Sequence, residues 1–230
     1  AAGGQTRAYG GVESVAVGGP GAPVLGGSAG DTCHAGSVAV DGARAVAGCW
    51  RRGNIYGGTA VGLLTVDVAR PRSPREQALL SDVGEVSDVA LVGETAYVTG
   101  LEPGLWMVDV RDLGRPEAGV RLATGGTPAA LAVRDGYAVV ACGSAGLVVA
   151  DVRDPLHPSR AGGLALPGQA VDVAFVGGGS DGSGGGSPGA ERAVVATGPG
   201  GVRLIDLTDP AAPVEIAHYD TAGSAEVVTT

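Results

Sequence analysis

Short apolar runs, alternating or continuous, recur along this chain between clusters of Gly, Pro, Asp and Ser, and this spacing predicts strands rather than helices. Four of the runs share one motif: Gly62-Leu-Leu-Thr-Val-Asp-Val68, Gly104-Leu-Trp-Met-Val-Asp-Val110, Gly146-Leu-Val-Val-Ala-Asp-Val152 and Gly201-Val-Arg-Leu-Ile-Asp-Leu207, at a spacing of about forty residues. A Pro-containing turn follows each: Arg70-Pro71-Arg-Ser-Pro74, Asp112-Leu-Gly-Arg-Pro116, Asp154-Pro155-Leu-His-Pro158 and Asp209-Pro210-Ala-Ala-Pro213. Proline fixes φ and withholds a ladder donor, so these turns mark strand ends. Ahead of the motif lies a pair of Val- and Ala-rich strands, clearest at Asp88–Val92 with Thr95–Val98, Ala130–Val133 with Tyr137–Val140, and Asp172–Val176 with Ala193–Ala196. The unit is therefore four strands, a to d. Such a sheet has two apolar faces that only neighbouring sheets can cover, which is the arrangement of a β-propeller blade.

The two ends of the chain supply a further unit. Gly10-Gly-Val-Glu-Ser-Val-Ala-Val17 followed by Gly19-Pro20-Gly-Ala-Pro23-Val24 matches Gly200-Gly-Val-Arg-Leu-Ile-Asp-Leu207 followed by Asp209-Pro210-Ala-Ala-Pro213-Val214 at a constant offset. Ser224-Ala-Glu-Val-Val-Thr-Thr230 corresponds to the opening strand of another repeat. The expected fold is all-β: a five-bladed β-propeller of four-stranded antiparallel blades in one domain, 1–230. Full blades are expected at about 36–82, 86–124, 129–167 and 171–220, with one split blade closed from 1–28 and 224–230. Closure of that kind ties the termini together and hides two sheet edges.

These repeats resemble the LVIVD family of β-propeller repeats, whose motif runs through Gly-Leu, a hydrophobic pair, Val-Asp-Val and Asp-Pro, and the resemblance covers nearly the whole chain. It implies the fold and not a chemistry, because the family is known mostly from surface or exported proteins with no shared activity. An exported or cell-surface location is the matching expectation. The first copy departs from the motif, with Ala16 in place of Asp and Gly18-Gly19 in place of Asp-Pro.

Composition narrows the function. The 24 acidic and 15 basic side chains leave a net charge of −9, all the basic residues are Arg, and only eight residues are aromatic (Trp 2, Tyr 5, Phe 1). Nucleic-acid binding draws on clustered cations and stacking aromatics, so it is not expected. The longest charge-free stretch, Ser14 to Gly30, is broken by Gly and Pro, and no transmembrane segment is expected. The Gly- and Ser-rich segment 177–191, between strands a and b of the fourth full repeat, has the composition of a flexible linker. No phosphate loop, zinc-protease pair, nucleophile elbow or calcium loop is present.

Loops from d to the next a, and from b to c, share one face of a propeller near its axis. Three residues before the start of strand a, the five copies place His34, Glu85, Thr127, Gln169 and Gly223 on that face, and at the start itself Ser37, Asp88, Ala130, Asp172 and Glu226. Three carboxylates converging on a channel either bind a cation or repel one another. An acid here also resembles the family consensus, in which case it caps backbone N–H groups or holds channel water. Asp67, Asp109, Asp151 and Asp206 recur in equivalent strands and are read as scaffold.

The first full blade breaks the pattern of the others, and sites are sought where a chain departs from its own rule. Its d-to-a loop reads Gly30-Asp31-Thr32-Cys33-His34-Ala35, and its b-to-c loop extends from Cys49 through Trp50, Arg51, Arg52 and Tyr56 to Thr59. With a turn at Asp41-Gly42, antiparallel pairing places Cys49 roughly opposite residue 35. Several readings of this corner stand side by side. A Cys33–Cys49 disulfide would staple it; a soft metal, Cu or Zn, could be held by Cys33, His34 and Cys49; a reduced cysteine beside His34 could act as a nucleophile; or the residues pack and do nothing more. Arg51 and Arg52 would fork onto an anionic group beside Trp50 or Tyr56. Cys142 aligns with Cys49 two blades away, too far for a disulfide, and is read as a buried small hydrophobe; His157 and His218 fall toward the rim and are read as structural.

The leading expectation is a rigid binding scaffold, monomeric, that meets a protein partner or a small anionic ligand through His34, Trp50, Arg51, Arg52, Tyr56, Glu85 and Gln169. The alternative is a small-molecule enzyme or metal-binding protein with a Cys/His or channel-carboxylate site on the same face.

Overall fold

The computed structural model describes residues 12–16, 24–29, 33–50, 61–101, 103–176 and 191–229, the first two stretches and His34 by backbone alone. Every regular element among them is a strand. Strands β1 (Val12–Ala16) and β2 (Val24–Ala29) pair as a two-stranded sheet. Four antiparallel meanders follow: β3 (His34–Asp41), β4 (Arg44–Trp50), β5 (Gly62–Asp67), β6 (Arg75–Leu80); then β7 (Val86–Val92), β8 (Thr95–Gly100), β9 (Leu105–Asp109), β10 (Glu117–Leu122). The third comprises β11 (Ala130–Arg134), β12 (Tyr137–Ala141), β13 (Leu147–Asp151) and β14 (Ser159–Leu164), and the fourth β15 (Asp172–Val176), β16 (Arg192–Ala196), β17 (Val202–Asp206) and β18 (Val214–Tyr219). The strands are consecutive in every sheet, so this is a propeller-like all-β fold of repeated four-stranded blades. The linker-like segment falls at 177–190, outside the described residues.

The first three blades each open with a two-residue turn. Asp135 and Gly136 have φ of 48° and 78°, the two positive values that a type I′ hairpin requires. Gly42 and Gly93 supply a positive φ (59°) at the first central position in the equivalent turns. The motif glycine before strand c has another reason. At Gly62, Gly146 and Gly201 φ is positive, and a Cβ would lie 2.1–2.2 Å from the carbonyl oxygen of Leu80, Leu164 or Tyr219 on strand d. Only glycine admits that approach.

Three residues after that glycine the c–d ladder slips by one, between Thr65 and Val66, Val149 and Ala150, and Leu204 and Ile205. The β1–β2 ladder slips between Ser14 and Val15, the same place in the motif. The slip thus falls at one motif position in all four of these strand pairs, although Ala16 stands where the motif has aspartate. The c–d corner itself is built by carboxylates. Asp67, Asp109, Asp151 and Asp206 each accept the N–H two residues on, from Ala69, Arg111, Arg153 and Thr208, at 2.8–3.1 Å. Asp112, Asp154 and Asp209 do the same for Gly114, Leu156 and Ala211 at 2.9–3.0 Å. Two successive Asx turns thus reverse the chain, which gives the repeated aspartates a structural role.

The chain divides into two compact units, Ala1–Val98 with Trp106–Gly119, and Thr99–Leu105 with Val120–Thr230. In the first, Val46 and Leu63 pack with Val86, Val98 and Val108. Thr65, fully buried, accepts the Ala78 N–H at 3.1 Å and donates to the Leu113 carbonyl at 2.6 Å, fastening one blade to the corner of the next. In the second unit, Val139, Leu147 and Val149 pack with Val173, Phe175, Val195 and Ile205. Burying each such aliphatic side chain contributes about 1.5–3 kcal/mol, and β13 is buried on both faces, the condition that makes one blade depend on its neighbours.

Candidate functional site

In the first blade Ala35 pairs with Cys49 and His34 with Trp50. The ladder slips between Ala35 and Ser37, leaving Gly36 as the extra residue of a bulge. A Cβ on Gly36 would lie 2.8 Å from the Trp50 indole nitrogen, so the indole lies directly over this glycine. Cys33 and Cys49 are joined as a disulfide with Cα atoms 5.6 Å apart. Both are buried, whereas Trp50 is 40% exposed. The corner is therefore a stapled strand pair presenting one aromatic face. Arg51, Arg52 and Tyr56 lie outside the described residues. With both sulfurs in the disulfide neither is a thiolate, so metal ligation or nucleophilic attack by Cys33 or Cys49 belongs to a reduced form only. Among the described residues no group of three or more His, Cys, Asp or Glu is placed to hold a metal ion.

Cys142 is free and 1% exposed, and burial pushes its thiol up to about 11. It is an inert core residue. His157 contacts Asp154 at 2.8 Å, and His218 lies 3.4 Å from Glu215, both on outer strands or corners.

The strand-a carboxylates are engaged with backbone. Asp88 accepts the Val89 N–H at 2.9 Å. Asp172 accepts the Val173 N–H at 2.9 Å through one oxygen and the Val228 N–H at 2.8 Å through the other, which clasps the C-terminal segment to β15. Glu85 is half-buried in the bend just before β7, while Gln169 and Glu226 are exposed.

Gln169 and Glu226 meet at an open cavity of about 760 Å³ in the second unit, whose other walls include Ser144, Val171, Pro199 and Ser224. These residues come from two d-to-a loops and two b-to-c loops. The b-to-c loops are tight turns: Ala145 and Gly200 donate to the carbonyls of Cys142 and Thr197 at 3.0 Å. Gly168 (φ 84°) brings its backbone so close to Thr197 that a Cβ would lie 2.4 Å from the Thr197 oxygen, and a Cβ on Gly200 would lie 2.6 Å from that of Pro167. Two loops are thus packed backbone against backbone to make one rigid wall. Arg203, 8% exposed, holds that wall from behind, donating to the Gly200 carbonyl at 2.9 Å while pairing with Glu215 at 3.0 Å. Among the described residues, none with a cationic side chain lines the cavity.

Sequence reasoning placed Gln169 and Glu226 on this face but passed over Ser144, Pro199, Ser224 and Arg203. Arg203 did carry a signal, since Leu64, Trp106 and Val148 occupy its position in the other copies. A buried cation in a strand otherwise apolar marks a polar group that needs holding, here the Gly200 carbonyl.

Blades of this architecture define a repeat scaffold, a β-propeller-type protein whose loops vary over a constant frame. Three stretches, 83–121, 125–163 and 193–221, match the family model described as LVIVD repeat. Among solved structures it is similar to the crystal structure of the computationally designed Ika8 protein, at 10% identity with a TM-score of 0.55, over 87% of this chain and 66% of that one. The chain thus spans just under two thirds of that protein, and the likeness concerns the fold. No curated protein matches the chain.

Proposed function

We propose that the protein is a binding module that meets its ligand on the face formed by the d-to-a and b-to-c loops, the face that also carries segments 30–35 and 49–59. The observation that carries this reading is the cavity at Gln169 and Glu226, built by those two loop classes over a locked backbone wall. A rigid frame lowers the ordering cost of binding, and the stapled Cys33–Cys49 corner with its exposed Trp50 supplies a second rigid element on loops of the same classes. Asp172, with an N–H on each carboxylate oxygen, is a poor candidate for general acid/base work. A Cu or Zn site at His34 with Cys33 and Cys49 remains the alternative for the reduced protein, and elemental analysis with and without reductant tests it.

In this reading the propeller has five blades, closed by β1 and β2 with the segment 224–230, and acts as a monomer outside the cell. The shared ladder slip in β1–β2 supports the fifth repeat. The test is a thermal-shift screen of small molecules and peptides sorted by charge, run on the wild type and on Gln169→Ala and Glu226→Ala. Hits lost in these variants support the face; hits indifferent to both, and sensitive instead to Ile216→Ser, would move the site to the outer strands.

A further inference from the structure

Resting on that reading, we propose that the cavity bounded by Ser144, Gln169, Val171, Pro199, Ser224 and Glu226 takes a small organic cation, an alkyl chain ending in a primary amine or guanidinium. Charge selects the class. The lining holds one carboxylate, Glu226, and neutral hydrogen-bonding groups on Ser144, Gln169 and Ser224, with no Arg among its residues and no Lys in the chain. Among the described lining residues an anion would meet no counter-charge to offset its lost hydration. An ammonium or guanidinium has donors only, and carboxylate, amide and hydroxyl oxygens are the acceptors that satisfy it. Val171 and Pro199 give the alkyl part an apolar wall. The volume of about 760 Å³ lies inside the ordinary range for small-molecule sites. The net charge of −9 adds a field that draws cations in. The anionic ligand expected from Arg51 and Arg52 rests on residues outside the described ones.

The site is also built in advance. Gly168 against Thr197 and Gly200 against Pro167 leave no room for the wall to adjust, and Arg203 fixes the Gly200 carbonyl. Selection then rests on side chains alone, chiefly Glu226, whose exposure lets it be changed without touching the core.

The experiment is an amide chemical-shift titration with 4-aminobutylguanidine, repeated with citrate and with glucose at matched ionic strength. The proteins are the wild type, Glu226→Gln, and Glu117→Gln as an exposed carboxylate elsewhere. We expect saturable shifts at Ser144, Gln169 and Ser224 with the cation, weakened about tenfold or more in Glu226→Gln and unaltered in Glu117→Gln. Equal loss in both variants would mean general attraction to an acidic protein and would overturn the proposal. Citrate or glucose shifting those amides in preference would discard the cation and keep the binding face. No shift there with any probe would remove the cavity as a small-molecule site altogether.

Discussion

Gly143 and Ala170 exchange both of their backbone hydrogen bonds, each at 3.0 Å, and Gly198 and Ala225 repeat the exchange at 3.0 and 2.9 Å. The exit of strand b in one repeat is thereby bridged to the entry of strand a in the next. Ala225 thus bridges the C-terminal segment as Ala170 bridges the segment that leads into β15. Ala225→Pro removes one donor of the bridge and biases Ser224 toward extended backbone. We expect a loss of about 1–3 kcal/mol in chemical denaturation, and an unchanged midpoint would make the bridge incidental.

The motif glycines should be irreplaceable for a steric reason rather than an entropic one. Gly146→Ala or Gly201→Ala forces a Cβ to within 2.2 Å of a strand-d carbonyl at a φ of 78°, and should cost about 2 kcal/mol or more. Gly223→Ala is the control, since nothing lies within 4 Å of a Cβ there, and its midpoint should barely move. Thermal melts of the three variants decide the matter.

The staple and the lone thiol separate in one titration. Cys33 and Cys49 are sixteen residues apart, and a disulfide over such a span contributes about 3 kcal/mol by limiting the unfolded chain. The Cys33→Ser, Cys49→Ser double variant should be less stable by roughly that amount. In the native protein at pH 8, Cys142 should resist a thiol reagent, because burial holds its pKa near 11 and the thiolate is scarce. One thiol per chain should react after unfolding without reductant; three would mean that no disulfide had formed.

Acid should loosen the c–d corners. Hydrogen bonds from Arg111, Arg153, His157 and Thr208 hold the carboxyls of Asp109, Asp151, Asp154 and Asp206 below their ordinary value. A carboxylate with a lowered folded pKa adds stability that is complete above the unfolded value, about 3.9, and is lost as pH falls through the folded one. Glu191, raised by burial, works the other way, gaining stability on protonation. Four groups against one predict a thermal midpoint that is level from pH 7 to about 5 and declines below about 4. Asp151→Asn keeps the acceptor for the Arg153 N–H but not the charge, and should retain most of the wild-type midpoint at pH 7, whereas Asp151→Ala should lower it by several degrees.

The blade was legible because its determinants are local: a glycine before strand c, an aspartate two residues before a turn N–H, a two-residue a–b turn. The register of β3 against β4 was legible to within a residue from one turn and the period of a strand, and the bulge at Gly36 sets the final pairing of Ala35 with Cys49. The cavity was not legible to the same degree. Its walls come from loops 25 to 30 residues apart, and what makes them a wall is the close approach of Gly168 to Thr197 and of Gly200 to Pro167. Glycine in a loop looks alike in sequence whether it serves a turn or a contact. Asp172 was legible as a strand-a acid, but its bond to the Val228 N–H depends on where a distant segment lands.

Every four-stranded sheet here is a meander of sequence neighbours, and that bears on how the chain reaches its native state. Except at β4–β5 and β15–β16, each hairpin within a four-stranded sheet closes over a short span, so the entropy lost before contacts form is small and a blade can assemble while the rest of the chain is still disordered. The two Asx turns at a c–d corner prepay part of that cost by bending the chain on their own. Contacts between blades come later and spread from neighbour to neighbour. In the five-bladed reading proposed above, the slow event is the joining of the two ends, a step that follows the folding of every single sheet.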